Sequence, residues 1–263
     1  MKKTPYVFLA LMALLSLLCS VAASCVTNEN LMQQGFLQFS DTRHLNVPPT
    51  RYADYARAIT RYLDGKAERI QVADPASGEM SDAFSEKETA HLRDVKSIVT
   101  ALKWARWLGG GGAVLTIGIL YLLRKDDRAR LLSSLVRGFA LASLILLAAA
   151  TGLAVWGAVN FNGLFWTFHQ VIFTNSMWLL NPRTDLLMAL MPLPFSGWYA
   201  GELCKALLPV LGVMLLVISP GSTSEKHKRK QRSHELPGKL QSEAARSGRQ
   251  GSGPHPGHRI QLR

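Results

Sequence analysis

The sequence predicts an all-α membrane protein with about four transmembrane helices, an extracytoplasmic cap that is mainly helical, and an interfacial helix. Apolar residues make up 48% of the 263 positions and gather in a few long blocks. Blocks near 20 residues fit a hydrocarbon core of about 30 Å. Limits on core size that apply to soluble domains therefore do not apply to this chain. The predicted spans, in chain order, are 1–24, 107–123, 131–159 and 203–219.

The first span begins with a basic Met-Lys-Lys and continues as an apolar run to Ser24. This order is typical of a signal peptide or of a signal anchor, and we favour a helix that stays in the membrane. Cleavage before Cys25 is the alternative, although the run lacks the leucine usual at lipoprotein cleavage sites. In both cases Lys2 and Lys3 stay in the cytoplasm, so the chain from Cys25 onward is expected outside.

Residues 25–106 form the longest polar stretch and are the predicted extracytoplasmic domain. Within TRYADYARAITRYLDGK, side chains recur at three- and four-residue spacing, which predicts a helix ending at Gly65. A mixed segment, ADPASGEMSDA, follows as a hairpin or a loop. Ser85 with Glu88 three residues later has the pattern of a capping box and predicts a second helix. That helix is expected to continue directly into the next span.

The loops between the later spans set the topology. Residues 124–130 are strongly basic and fit a short cytoplasmic turn. Residues 160–200 contain Arg183 as their one Lys or Arg residue and are predicted to be an interfacial loop outside the membrane. A fifth span at 161–180 is the alternative, but its polar groups argue against it. The run of four glycines at 109–112 weakens the second span or permits close packing with a neighbour.

The C-terminal tail, 220–263, changes to Ser, Gly, His, Lys and Arg, in a chain whose net charge is +12. Such a composition predicts a disordered cytoplasmic tail. Its basic residues fit contact with anionic lipid. Nucleic acid is not expected as a partner, because neither aromatic residues nor a folded basic surface accompany the charge.

Two of the seven histidines are candidates for chemistry. Glu88, His91 and Asp94 are three residues apart and share a helix face, where carboxylates can orient an imidazole. The plainer interpretation is a solvated charged face. His169 lies in an apolar segment that the topology brings to the same outer surface, and its plainer role is packing with a bond to a backbone carbonyl. Together the two predict an acid–base pair or a metal site. Metal is the weaker interpretation because no HExxH occurs.

The segments FSEKETAHLRDVK and FHQVIFTNSMWLLNPRTDLLMALMPLPF resemble the lipoprotein intramolecular transacylase family of bacterial integral membrane proteins. The family's first motif reads acid-x-x-His-x-x-Asp-Val-Lys, which matches 88–96. The family's second motif begins with Phe-His-x-x-Phe-Phe. A Trp, then Asp-x-Leu, and then Leu-x-Pro-x-x-Phe follow it. The resemblance covers about 30 to 220. Leu92, Ile172 and Ser176 stand where methionine, phenylalanine and glycine are common.

This resemblance implies a shift of the sn-2 acyl chain of a diacylglyceryl lipoprotein to the amine of its N-terminal cysteine. The reaction needs no nucleotide, metal or other cofactor. Its partners are diacylated lipoproteins and the lipid bilayer, at the extracytoplasmic face of the bacterial cytoplasmic membrane. His91 and His169 would be the acid–base pair, Asp94 would orient a histidine, and Lys96 would stabilise charge. Candidates for substrate binding, charge stabilisation or secondary roles are Trp178, Asp185, Asn175 and Asn181.

Two other functions compete with this one. In the first, the chain is a non-catalytic membrane scaffold or transport accessory, and both histidines are structural. In the second, it is a metal-dependent membrane hydrolase. A joint acid–base site requires the two imidazoles to lie within about 10 Å of each other.

Overall fold

The structure is a computed structural model that describes residues 4–123 and 128–218. Helices dominate these residues, joined by one short β-hairpin and two 3-10 turns. In chain order the elements are α1 (Thr4–Val26), α2 (Glu29–Phe39), 3-10 turns at Arg43–Leu45 and Pro49–Arg51, α3 (Tyr52–Asp64), β1 (Gln71–Ala73), β2 (Met80–Asp82), α4 (Glu86–Leu123), α5 (Arg128–Val159), α6 (Phe161–Ile172), α7 (Leu186–Leu190) and α8 (Leu193–Ile218). The predicted all-α class is confirmed.

Three of the described helical segments are long and apolar enough to cross a membrane: Tyr6–Val26, Glu86–Leu122 and Arg130–Val159. The predicted fourth span falls within α8, which begins at Leu193, well before the predicted start at 203. That span stays a prediction. The alternative fifth span is not formed, because α6 has 12 residues and a span needs about 20. The basic turn at 124–127 and the tail from 219 onward lie outside the described residues.

The longest helix, α4, runs without a break from the cap through the apolar segment 107–123, so the helix that starts after Ser85 does continue into the predicted second span. Its 38 residues correspond to a length of about 57 Å, against a hydrocarbon core of about 30 Å. The segment 86–106 carries all the charged residues of α4, and 107–123 has none. The predicted division of α4, with 107–123 in the membrane and 86–106 outside it, stays a prediction, because the candidate span found in this helix extends over Glu86–Leu122.

Close helix packing in the membrane depends on glycines. A Cβ at Gly109 would lie 3.1 Å from the Met12 carbonyl oxygen of α1. A Cβ at Gly138 of α5 would lie 2.6 Å from the Tyr6 carbonyl oxygen. Both α4 and α5 thus approach the α1 backbone more closely than a side chain would permit.

The cap encloses a core to which α2, α3, α4, α7 and the start of α8 contribute. Phe36, Ile59 and Leu190 are completely buried at its centre. A Cβ at Gly35 would lie 2.3 Å from the Phe195 ring, so a glycine is required where α8 meets α2. This core holds the first turns of α4 against the 186–195 segment, next to the candidate site.

Local predictions for the cap hold well. The helix predicted within TRYADYARAITRYLDGK forms as α3, Tyr52–Asp64, and Gly65 caps it at a φ of 80°. The capping box forms, because the Ser85 amide donates to Glu88 Oε2 at 2.8 Å. ADPASGEMSDA forms the hairpin β1–β2 rather than a plain loop, with Val72 paired to Ser81. The three cysteines are free thiols.

Candidate active site

The structure brings the two predicted histidines together. His91 lies in the second turn of α4, and His169 lies in the last turn of α6. The centroids of their imidazole rings are 6.2 Å apart and the ring planes are inclined by 33°. This distance is below the limit of about 10 Å for a joint acid–base site. At this distance, one substrate group can contact both rings.

His169 has a defined orientation. Its Nδ1 lies 2.8 Å from the Phe165 carbonyl oxygen, one turn earlier in α6. A carbonyl oxygen can only accept, so Nδ1 carries the proton and donates it. In the neutral ring this leaves Nε2 with a free lone pair. The predicted bond to a backbone carbonyl is therefore present, and it leaves the other nitrogen available for chemistry.

Aromatic side chains surround the His169 ring. Ring centroids lie 4.1 Å away for Phe165, 5.1 Å for Trp178, and 5.4 Å for both Phe168 and Phe173. Burial among them lowers the pKa of His169 below its usual range, although the hydrogen bond to Phe165 opposes the shift. Desolvation penalises the charged imidazolium, so the neutral ring is favoured at neutral pH.

The pKa of the second histidine, His91, is strongly lowered by its surroundings. Its ring meets Phe173 edge to face at 5.0 Å. Burial is the main cause that lowers the pKa of His91 to about 4, His169 lowers it further, and Asp94 acts in the opposite direction. Nδ1 of His91 is buried and has no hydrogen-bond partner among the described residues. Both rings of the pair are thus predominantly neutral at pH 7.

Asp94 connects the two histidine-bearing segments. Asn175 Nδ2 donates to Asp94 Oδ2 at 2.8 Å, from the loop that follows α6. The side-chain oxygen of Asn175 also accepts from the Met177 amide at 2.9 Å. The bond between Asn175 and Asp94 fixes this loop against α4, one turn beyond His91.

Glu88 has a role that sequence reasoning missed. It is only 3% exposed. Its Oε2 accepts from Ser85, and its Oε1 accepts from the Leu187 amide at 2.6 Å, at the start of α7. Nearby, Lys87 donates to the Leu179 carbonyl. The capping-box spacing identifies the local half of this arrangement, but nothing in the spacing indicates the contact with α7.

Two further candidate residues, Trp178 and Lys96, lie in different parts of the structure. Trp178 packs against His169 and also meets Trp166 at 5.2 Å. Lys96 donates to the Ala67 carbonyl at 3.1 Å, and its ammonium lies 4.0 Å from the centroid of the Tyr62 ring. These contacts direct Lys96 toward the cap core. Its role in stabilising charge stays a prediction.

Asp185 and Asn181 form a turn before α7. Asp185 Oδ2 accepts from the Asn181 amide at 2.7 Å, and the Asn181 side chain accepts from the Arg183 amide at 3.0 Å. Both carboxylate oxygens of Asp185 and the side-chain oxygen of Asn181 are used within this turn. Within residues 4–123 and 128–218, no group of three or more His, Cys, Asp or Glu side chains could hold a metal ion.

Comparison with known proteins points to one family. Residues 6–195 match the family model described as lipoprotein intramolecular transacylase Lit. A solved structure of the membrane integral Lit from Bacillus cereus is 20% identical, with a TM-score of 0.59 over 87% of this chain and 98% of that chain. Variants of that protein with a histidine replaced by arginine or alanine both give a TM-score of 0.55. No curated protein matches the sequence. At this identity the structural likeness shows the fold alone.

Proposed function

The chain belongs to the lipoprotein intramolecular transacylase family, and we propose that it catalyses an O-to-N acyl shift within a bacterial lipoprotein. The acyl chain on the sn-2 oxygen of the diacylglyceryl group moves to the α-amine of the N-terminal cysteine. The observation that carries this proposal is the pair of neutral imidazoles 6.2 Å apart, formed by His91 and His169. A proton must leave the substrate amine and reach the glyceryl oxygen while negative charge develops on the carbonyl oxygen, and two adjacent neutral imidazoles can divide these tasks between them.

The reaction is balanced without any added reagent. The amine nitrogen attacks the ester carbonyl carbon, so that an N–C bond forms and the C–O bond to the glycerol breaks. One proton passes from nitrogen to the departing glyceryl oxygen. No water, nucleotide or electron carrier is consumed, and the amide product is more stable than the ester. The tasks left to the protein are proton transfer, stabilisation of the oxyanion and positioning of the two groups.

We assign proton transfer to His169. Its Nε2 has a free lone pair because Nδ1 donates to Phe165. Nε2 can take the proton from the amine as the N–C bond forms and then deliver it to the glyceryl oxygen. The lowered pKa of His169 favours the second step, since a weakly basic imidazolium is a stronger acid. General acid–base catalysis of this kind typically contributes about 10²–10⁴-fold.

We assign charge stabilisation to His91. A neutral imidazole has one N–H, and in a half-buried site such a donor stabilises a developing oxyanion more than it would in water. Phe173 packs on both rings, so it fixes their mutual orientation. Both reacting groups belong to one substrate, and holding them together supplies much of the remaining acceleration.

The apolar surface of α6 suits a substrate that is anchored in lipid. Phe168, Val171 and Ile172 are 50%, 74% and 43% exposed. We place α6 at the extracytoplasmic surface of the membrane, with this face toward the acyl chains and His169 at the level of the ester groups. The C-terminal tail would then be cytoplasmic, as the basic segments at 124–130 and 220–263 predict.

Tandem mass spectrometry of a synthetic diacylated lipopeptide, incubated with the purified full-length chain, tests the proposal. An acyl shift leaves the intact mass unchanged, and the fragments then show an acyl group on the cysteine nitrogen. Loss of one acyl chain to water would instead identify a hydrolase. An unmodified lipopeptide would favour the scaffold function. A chelator should leave the rate unchanged, whereas the metal-dependent hydrolase would lose activity.

A further inference from the structure

Asp94 lies beside the histidine pair, where α4 meets the loop that follows α6. It is three residues after His91 in α4, and side chains at this spacing are neighbours on a helix surface, about 5–6 Å apart at Cβ. Asn175 reaches Asp94 from the loop that also carries Phe173, which packs on both imidazole rings. The Asp94 carboxylate is therefore at the edge of the proposed reaction site.

One oxygen of the Asp94 carboxylate is free to bind a ligand. Oδ2 accepts from Asn175 Nδ2 at 2.8 Å. Oδ1 accepts no hydrogen bond from residues 4–123 or 128–218, and the carboxylate forms no ion pair with them. Oδ1 is also not among the enclosed polar atoms that lack a partner in this part of the chain, so it is accessible from outside. The protein thus satisfies one half of this carboxylate and leaves the other half exposed.

The other two acidic candidates of the site offer no free oxygen. Glu88 is 3% exposed, and its two oxygens accept from Ser85 and from the Leu187 amide. Both oxygens of Asp185 accept within its own turn. Because burial lowers the pKa of both histidines, their rings are predominantly neutral at pH 7. Of the predicted site residues, Asp94 is therefore the one that presents an accessible negative charge.

The basic side chains nearest to Asp94 in α4 do not neutralise it. Lys96 is directed toward the cap core, where a backbone carbonyl and an aromatic ring receive its ammonium. Lys87 donates to a backbone carbonyl of the loop after α6. Arg93 is exposed and forms no ion pair with Asp94. A cation that a ligand brings to Asp94 therefore meets no competing ion pair in the described part of the chain.

We propose that Oδ1 of Asp94 binds the α-ammonium group of the substrate's N-terminal cysteine. This inference rests on the proposed function, because it takes its ligand from the substrate of the acyl shift. A free α-amine has a pKa near 8, so most substrate molecules carry an ammonium at pH 7. An ammonium donates charge-assisted hydrogen bonds to a carboxylate. The contact places the nucleophile one helical turn from His91.

The charge on the substrate nitrogen changes during the reaction, so Asp94 distinguishes substrate from product. One ammonium proton is released to solvent before the attack, one passes through His169 to the glyceryl oxygen, and one stays on the amide nitrogen. The neutral amine keeps its hydrogen bond to Asp94 while the N–C bond forms. The product amide has no charge, and the carboxylate then holds it less tightly. Lipoproteins with a free amine therefore bind in preference to N-acylated ones.

Binding of lipopeptides that cannot react tests this proposal without turnover. In these analogues ethers replace both glyceryl esters, and the α-amine is either free or acetylated. Titration of the full-length chain in a non-ionic detergent at pH 7 gives a Kd for each analogue. We expect the free amine to bind about tenfold more tightly, because acetylation removes a charge-assisted hydrogen bond. Equal Kd values would overturn the ammonium site, and the proposed function would still stand if the same preparation converts an ester lipopeptide.

Asp94→Asn removes the charge and keeps an oxygen that can accept from Asn175, so the loop after α6 stays tied to α4. We expect this variant to bind both analogues with similar Kd values, and to bind the acetylated analogue as the wild type does. Glu86→Gln is the matched control, since Glu86 is an exposed acid in the first turn of the same helix. It should keep the wild-type preference for the free amine. A full preference in Asp94→Asn as well would show that Asp94 does not hold the ammonium.

Discussion

Asn175 donates a 2.8 Å hydrogen bond to Asp94 across 81 residues of sequence. This bond ties the loop after α6 to α4. The loop begins with Phe173, which packs on both His91 and His169, and continues to Trp178, which packs on His169. The geometry of the histidine pair therefore depends on a contact between two polar side chains that are not themselves proposed to transfer protons.

Replacement of Asn175 by alanine should slow the acyl shift while the protein stays folded. The bond is exposed, so we expect its loss to cost about 1 kcal/mol, or roughly a fivefold lower rate. Asn162→Ala is the matched control, because Asn162 is an exposed asparagine of α6. Single-turnover rates of both variants provide the measurement. Equal rates in the two variants would show that the bond to Asp94 has no part in positioning the site.

The dependence on Asp94 can be tested with a double-mutant cycle. If Asn175 acts through Asp94, the effects of Asn175→Ala and Asp94→Ala on the rate should not add, since either one removes the same bond. We expect the double variant to be about as slow as Asp94→Ala alone. Fully additive effects on the activation free energy would mean that the two side chains act independently.

The buried carboxylate of Glu88 should matter for stability. Its oxygens accept from Ser85 and from the Leu187 amide, and the side chain is 3% exposed. Glu88→Gln replaces an acceptor oxygen with an NH₂ group that cannot accept, so we expect a loss of about 2 kcal/mol in the free energy of unfolding. Thermal unfolding in detergent micelles measures this loss as a lower Tm. Glu86→Gln, at an exposed position in the same turn, should leave the Tm nearly unchanged, and equal Tm values for both variants would contradict this role.

The dependence of the rate on pH should report the low basicity of the histidines. The pKa of His91 is lowered to about 4 and the pKa of His169 is also lowered, in both cases chiefly by burial. An α-amine has a pKa near 8, so the rate should fall about tenfold per pH unit from about pH 8 to 6.5 through protonation of the amine alone. A second loss, from protonation of His169, should begin only below about pH 6.5.

Single-turnover rates between pH 5 and 9 test whether the two losses of rate occur in this order as the pH falls. The sign follows from the direction of the shifts, since a depressed imidazole pKa keeps the neutral base available to lower pH. A second break at or above pH 6.5 would show that the reacting imidazole is not depressed.

Much of the site could be predicted from local sequence. The spacing of Glu88, His91 and Asp94 indicates one helix face, and the charge pattern of the loops predicts that His91 and His169 lie on the same side of the membrane. Gly65 and Ser85 mark helix ends through backbone and capping chemistry that does not depend on the rest of the fold. The family resemblance then joins the two histidines, and the structure confirms their proximity.

The remaining features depend on contacts between distant segments. The bond from the Leu187 amide to Glu88 needs a particular register between α7 and α4, and no local pattern specifies it. The close contact of Gly35 with Phe195 is of the same kind. The start of α8 at Leu193 was also not predicted, because apolar spacing marks the part that enters lipid and not the turns that pack on the cap. Pro194 in its first turn is a signal that could have indicated this start.

The central claim is that His91 and His169 act together on one substrate, and tandem mass spectrometry of a diacylated lipopeptide tests it most directly. Purified wild-type chain, His91→Ala and His169→Ala are incubated with the lipopeptide under identical conditions, after each variant is shown to keep the wild-type Tm within a few degrees. The wild type should yield an isomer of unchanged mass with an acyl group on the cysteine nitrogen. Both variants should be at least about 10²-fold slower. Wild-type rates of N-acylation by folded His91→Ala or His169→Ala would contradict the account.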